Sequence, residues 1–191
     1  SIDRDAVELI LELVENDTSD LKRECEKLVV YYPKGTAVGE NEVEHILYHS
    51  KNENVFSLFA RIAEADFASC METLHAIALS GPADPTSILG GLSWQIKRLL
   101  GFRRLKDSNY SDDDAGKKLG IRGKRNLRTY QTGAKNYNRR ELEIMYERTF
   151  DYDLMFREVR TAIDKKLLEL FLYEIVIRRG SNPMFSNTRA I

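Results

Sequence analysis

The chain has 191 residues, 42% of them hydrophobic and 31% charged, enough apolar material for one generous core or two small ones. Its 29 basic and 30 acidic residues leave a net charge of −1, which neither requires nor excludes a polyanionic partner. There is no apolar run of roughly 18 to 20 residues and no signal sequence, so no membrane partner is expected and the chain reads as cytoplasmic.

Ser1-Ile2-Asp3 runs into a helical pattern with no initiating Met, as in a piece of something longer. "DRDAVELILELVEND" sets Val7, Ile10, Leu11 and Val14 on one face, and "SDLKRECEKLVVYY" follows with Leu21, Cys25, Leu28 and Val29 behind a Ser19 cap. Pro33-Lys34-Gly35 turns the chain, and "VGENEVEHILYHS" predicts a third short helix, so residues 1–50 read as a three-helix unit. Cys25 and Cys70 lie far apart among apolar helical neighbours and read as small core residues in a reducing compartment.

A second series begins at "NENVF", which puts a boundary near Ser50. "DFASCMETLHAIALS" spaces Phe67, Cys70, Met71, Leu74, Ile77 and Ala78 as a helix, stopped by Gly81-Pro82. After Pro85, "TSILGGLSWQIKRLLGFRRLK" aligns Ile88, Leu89, Leu92, Ile96, Leu99 and Leu100. Arg98, Arg103, Arg104 and Lys106 gather toward the C-terminal end of that helix, where cations suit the dipole. "SDDDAGKKLGIRGKRNLRTYQTGAK", Ser111 to Lys135, is a short helix broken at Gly120 and followed by a basic one, the pattern of a helix-turn-helix DNA reader. Phe156, Val159, Ile163, Leu167, Leu170 and Phe171 keep one period and predict a single long last helix; residues 180–191 keep none. No stretch alternates as a strand does, so the class is all-α.

Charge is segregated along these elements. Residues 1–96 carry 7 basic and 17 acidic side chains, residues 97–140 carry 14 and 4, and residues 141–191 carry 8 and 9. The signatures of catalysis are missing. Gly116-Lys117-Lys118 and Gly123-Lys124-Arg125 lack the earlier glycine and the hydroxyl of a phosphate loop, and no GxSxG, HExxH or CxxC occurs. His45 and His49 have a spacing zinc accepts, but Ile46 stands where a metalloprotease places Glu, and such pairs are common by chance. His75 reads as a packed or partly exposed side chain. Asp112, Asp113 and Asp114 are the right type for Mg²⁺, yet behind Ser111 they read better as first-turn acids, with Asp114 at the capping-box position. No catalytic residue, metal or cofactor is expected.

The basic helix is the stronger signal. Arg122, Lys124, Arg125, Arg128 and Lys135, with Tyr130 and Tyr137, suit phosphate contact, and Arg125 and Asn126 stand where a recognition helix meets bases. Leu119, Ile121, Leu127 and Tyr130 suit two packed helices of any bundle equally well, so locally the pattern fits both a DNA reader and a bundle element.

The order of segments adds a resemblance. "ENDTSDLKRECEKLVVYY", "NEVEHIL", "NENVFSLFARI", "ASCMETLHAIALSGPADPTSILGGLSWQIKRLL" and "AGKKLGIRGKRNLRTYQTGAKNYNRRELE" together resemble the C-terminal part of bacterial DNA polymerase III clamp-loader delta subunits, from about Val7 to Arg179. "DYDLMFREVRTAIDKKLLE" departs from the family pattern in how Asp153, Leu154 and Lys165 are arranged. The resemblance implies a partial AAA+ lid over 1–50, a helical-bundle collar over 51–179 and a tail. It implies a non-catalytic, nucleoid-associated subunit whose parent complex is a DNA-directed DNA polymerase. The implied partners are the ATPase-type gamma/tau and delta-prime subunits, the sliding clamp through an N-terminal domain outside these residues, and primed DNA through the assembled complex. Arg98, Arg103, Arg104, Arg122, Lys124, Arg125 and Arg128 are then candidate contacts to a neighbouring subunit or to DNA; a helix-turn-helix regulator is the alternative.

Overall fold

The first helix, α1 (Arg4–Leu13), is started by a side chain: Asp3 Oδ1 accepts from the Ala6 amide at 2.7 Å, satisfying an N–H that has no partner inside the helix. Asp3 N also donates to Val38 O at 3.0 Å, and Val38 N to Ser1 O at 2.8 Å, around an isolated parallel bridge between Ile2 and Val38. The second helix, α2 (Thr18–Tyr31), ends before the Pro33–Gly35 turn. Ala6, Ile10, Leu28 and Val43 form a small core, edged by Leu21, Tyr32 and Val38. The structure is a computed structural model that describes residues 1–13, 18–39, 42–43, 55–80, 84–121, 123–158 and 164–179; within them every regular element is helical. None of these helices is long and apolar enough to cross a membrane.

Three details of this first part differ from the sequence reading. The inward face of α1 runs through Ala6 and Ile10, leaving Val7 and Leu11 each 37% exposed. On α2 the inward stripe is Leu21, Glu24 and Leu28, so Cys25 and Val29 fall beside it and are exposed; Cys25 is not the core residue its neighbours suggested. A helix packed along one narrow stripe buries about one residue per turn, whatever the apolar content beside the stripe. Ser19 lies inside α2 rather than ahead of it. Of the stretch predicted as a third helix, Val38 and Gly39 are not helical, Val38 pairing with Ile2 instead, while Glu42 and Val43 are; Val14, His45 and His49 lie outside the described residues.

A larger core is shared by α3 (Val55–Ala63), α4 (Phe67–Ser80), α5 (Pro85–Asp107), α6 (Asp112–Leu119), α7 (Lys124–Asn136), α8 (Arg139–Glu158) and α9 (Asp164–Leu172). Several starts are local side-chain solutions. Asp66 Oδ1 accepts from Ser69 N at 3.1 Å, and Asp84 accepts from Thr86 N and Ser87 N with Pro85 in the first turn. Before α8, Glu141 N donates to Asn138 Oδ1 at 2.9 Å and Asn138 N to Glu141 Oε2 at 2.7 Å, a reciprocal capping box. The middle of the bundle is α5. Its predicted stripe from Ile88 to Leu100 is buried, Gln95 and Phe102 widen it at one edge, and α3, α6, α7, α8 and α9 all pack on it. On α4, burial pushes the Cys70 thiol up to about 12, so it stays a neutral packing group.

The last stretch is two helices, not one. The Tyr152 and Phe171 rings lie 5.2 Å apart, whereas nineteen residues of continuous helix would separate them by roughly 28 Å. The apolar period survives the reversal because both helices face one core, with Phe156 on α8 and Leu168 and Phe171 on α9 buried in it. Val159 and Ile163 lie outside the described residues. From α9 the chain continues into a π-turn, Tyr173–Ile177, where Glu174, Ile175 and Val176 are buried in succession.

The approach of α7 to its neighbours depends on Gly133. A side-chain carbon there would sit 2.7 Å from Leu99 Cδ2 and 3.3 Å from Ala63 Cβ. Gly133→Val should lower stability by about 1–3 kcal/mol in chemical denaturation, in spite of valine's better helix propensity. Gly90→Ala, which meets open space on α5, should be neutral or stabilising in the same measurement.

Candidate interface on the basic helix pair

Ser111 opens α6 as the sequence predicts. Its backbone is extended (φ −64°, ψ 160°), its Oγ accepts from Asp114 N at 3.1 Å, and its hydroxyl donates to Asp114 Oδ2 at 2.6 Å. Asp112 pairs with Lys106 Nζ at 2.6 Å and accepts from Gln131 Nε2 at 3.1 Å, tying the first turn of α6 to α5 and α7. Gly120 ends α6 in the left-handed region (φ 66°), its N–H reaching the Gly116 and Lys117 carbonyls. Ile121 then turns inward, and Leu119, Leu127 and Tyr130 pack with it into the large core. The helix pair is therefore part of the bundle, with one side of α7 left facing outward.

The seven candidate cations divide by what they bind. Arg98 Nε and Nη2 donate to Leu119 O at 3.2 and 3.0 Å, capping the last turn of α6, while the guanidinium lies 4.3 Å from the Trp94 ring centroid. Arg103 Nη1 donates to Ala134 O at 2.7 Å, in the last turn of α7, and its Nε to Asp107 Oδ1 at 2.9 Å. Arg104 meets Glu143 of α8 at 3.1 Å, a carboxylate it shares with Arg139 at 3.0 Å. These three join α5 to its neighbours. Arg122 lies outside the described residues, and Lys124, Arg125 and Arg128 stand exposed along the first half of α7.

Residues that the sequence reading passed over complete the surroundings of that group. Arg61 on α3 and Gln95 on α5 join Arg125 and Arg128 around a cleft of about 300 Å³ between α3 and α7. They come from three separate segments, so no local motif could have assembled them. Among the described residues, no cluster of three or more His, Cys, Asp or Glu side chains is placed to hold a metal.

Residues 52–175 match the family model described as DNA polymerase III delta subunit, C-terminal domain. A Bacillus subtilis (strain 168) relative, "DNA polymerase III subunit delta", is 22% identical over 184 residues, covering 95% of this chain and 52% of its own length. An Aquifex aeolicus relative, "Probable DNA polymerase III subunit delta", is 26% identical over 123 residues, 64% of this chain and 35% of the relative. Among solved structures, the Bacillus subtilis DNA clamp loader delta protein matches with a TM-score of 0.61 at 20% identity, over 93% of this chain and 52% of its own. The chain thus spans about half, or less, of the length of the relatives it matches.

Two substitutions test the geometry of the helix pair. Arg98→Ala should cost about 1–3 kcal/mol, by orphaning the Leu119 carbonyl and removing the contact with Trp94. Trp94 is the one tryptophan, so native-state emission should change as well. Hydrogen bonds from Arg139 and Arg104 hold the Glu143 carboxyl below the usual carboxylate range. A carboxyl lowered in the folded state stabilises above its unfolded pKa, and that contribution is lost as pH falls through the folded value. Glu143→Gln should therefore flatten the acid limb of a thermal-stability profile below about pH 4.5; an unchanged limb would contradict the assignment.

Proposed function

Because the chain belongs to the family of the DNA polymerase III delta subunit, C-terminal domain, we propose that it is a non-catalytic clamp-loader subunit whose α3–α9 bundle is the collar that joins the ring. In this reading residues 1–50 are a piece of the AAA+ lid and residues 51–179 the collar. Neighbours in the ring are the ATPase-type gamma/tau and delta-prime subunits. The sliding clamp is engaged by a part of the protein outside these residues, and primed DNA is met by the assembled complex in the cytoplasm. The observation that carries the reading is the family match, which runs over the helices sharing the larger core.

Ring closure requires two unlike faces on each copy, since its contacts are head-to-tail. The bundle offers unlike surfaces: the basic start of α7, and a strip on α8 where Phe150 and Leu154 are 51% and 59% exposed. The helix-turn-helix regulator draws on one feature, the exposed Lys124, Arg125 and Arg128 at the start of the second helix. The internal commitments of Arg98 and Arg103 favour the bundle element, because they use the neighbouring cations to hold helices together.

Mixed with the ATPase-type clamp-loader subunit of the same organism, the chain should co-elute as a defined complex in size-exclusion chromatography with light scattering. Arg125→Glu with Arg128→Glu should weaken that complex modestly. A monomer that ignores the subunit, and instead binds duplex DNA with a steep salt dependence lost on the double reversal, would replace the collar reading with the regulator.

A further inference from the structure

The last helix is apolar nearly all round, so apolar burial alone does not choose which side of it faces inward. From Leu167 to Ile177 nine of eleven residues are apolar, and the two that interrupt them are Glu169 and Glu174. The seating that the chain adopts leaves apolar side chains outside and takes an acid in. Leu170, Tyr173 and Ile177 are 36%, 41% and 51% exposed, while Glu174, in the π-turn, is 0% exposed.

A fully enclosed carboxylate needs charged or hydrogen-bonding company, because burying it alone costs far more than one hydrogen bond contributes. That company comes from one face of α8, where Arg148 and Tyr152 stand four residues apart. The Tyr152 ring meets Phe171 edge-on at 5.2 Å, one turn before Glu174 on the last helix. Tyr152 is itself fully buried. Burial first, and then the Glu174 carboxylate beside it, push its hydroxyl pKa up, while Arg148 acts in the opposite sense. Arg148 is in turn fixed by Asp151, whose Oδ2 accepts from its Nη1 at 2.8 Å. Glu169, the other acid, stays outside against His75 of α4, its Oε1 3.1 Å from the ring Nε2.

Turning the last helix by one residue, about 100°, would carry Glu174 away from the Arg148–Tyr152 face and give up that contact. We propose that Glu174 is a register lock: the Arg148–Tyr152 face of α8 accepts its carboxylate in one rotational seating of the last helix, a choice that the apolar residues alone do not make. A polar contact of this kind gives up some stability for a single arrangement, as a buried polar residue does in a coiled-coil seam. The seating also decides where the chain goes next. Arg179, two residues beyond the π-turn, donates to Asn136 O at 2.5 Å and lies 5.1 Å from the Tyr137 ring centroid. The lock is complete within this chain and does not depend on the collar reading.

The test is NMR with amide exchange on the whole chain and on Glu174→Leu, Glu174→Gln and Tyr152→Phe. Glu174→Leu makes the stretch from Leu170 to Ile177 apolar throughout and should leave resistance to urea nearly unchanged. Its amides from Leu170 to Arg179 should nevertheless broaden or double, and exchange at least about tenfold faster, while those of α3 stay within about twofold. Arg179 should also lose the upfield shift that the Tyr137 ring gives it. Glu174→Gln keeps an oxygen that accepts from the Tyr152 hydroxyl and should retain one set of signals. Tyr152→Phe removes only that hydroxyl and should loosen the same amides as Glu174→Leu. The proposal is overturned by one undisturbed set of signals over these residues in Glu174→Leu or, should that variant not fold, in Tyr152→Phe. Faster exchange spread evenly over the whole chain, which marks a contribution to stability alone, overturns it too, as does Glu174→Gln behaving like Glu174→Leu. The measurement needs no ring subunit, so its failure and a failure of co-elution are separate results.

Discussion

A helix buried along a wide face has to be covered by several neighbours, and α5 imposes that condition on the rest of the chain. Leu92, Ile96 and Leu99 are fully buried, and Gln95 and Phe102 widen the same buried face at its edge. Each large apolar side chain removed from water contributes about 1.5–3 kcal/mol, which is enough to draw five helices around one. Enclosure brings a polar difficulty with it, because neighbouring helices must end against α5, and their last carbonyls lose access to water there. The arginines of α5 answer it: Arg98 reaches the Leu119 carbonyl and Arg103 the Ala134 carbonyl.

The same geometry changes how the charge pattern is understood. Residues 97–140 have a large excess of basic side chains, which suggests a broad positive face. Part of that excess is paired with acids on the bundle surface, where Arg103, Arg104 and Lys106 meet Asp107, Glu143 and Asp112. Lys124, Arg125 and Arg128 stand exposed together at the start of α7, and the other exposed cations of the segment, such as Lys97, Lys117 and Lys135, are spread over several helices.

Features decided by neighbours in the chain were legible beforehand. The Ser111 cap, the Gly120 stop, the Ile88-to-Leu100 stripe and the order of segments that resembles the delta-subunit family all depend on short spacings, and the fold and the family match agree with them. Features decided by packing were not. A 3.6-residue period reports which side of a segment is dry but not whether the segment is continuous, so α8 and α9 read as one helix. Cys25 and Val29 are apolar, but α2 has too few partners to cover them. The acceptors of Arg98 and Arg103 lie 21 and 31 residues away and are backbone atoms, which no side-chain pattern announces. The cleft combines residues of α3, α5 and α7 for the same reason.

The π-turn at Tyr173–Ile177 absorbs a difference of length. A π-turn holds about one more residue than an α-turn over the same full rotation, so removing one residue here would restore an unbroken α-helix and leave the chain beyond it in nearly the same phase. Arg179, at φ 49°, now donates to Asn136 O at 2.5 Å and lies 5.1 Å from the Tyr137 ring centroid, closing over the end of α7. A family member shorter by one residue at this point would keep both its bundle and that clasp. The fastening of the chain to α7 after its last helix thus tolerates a one-residue difference in length that would turn the same side chain away from its partner in a helix without the π-turn.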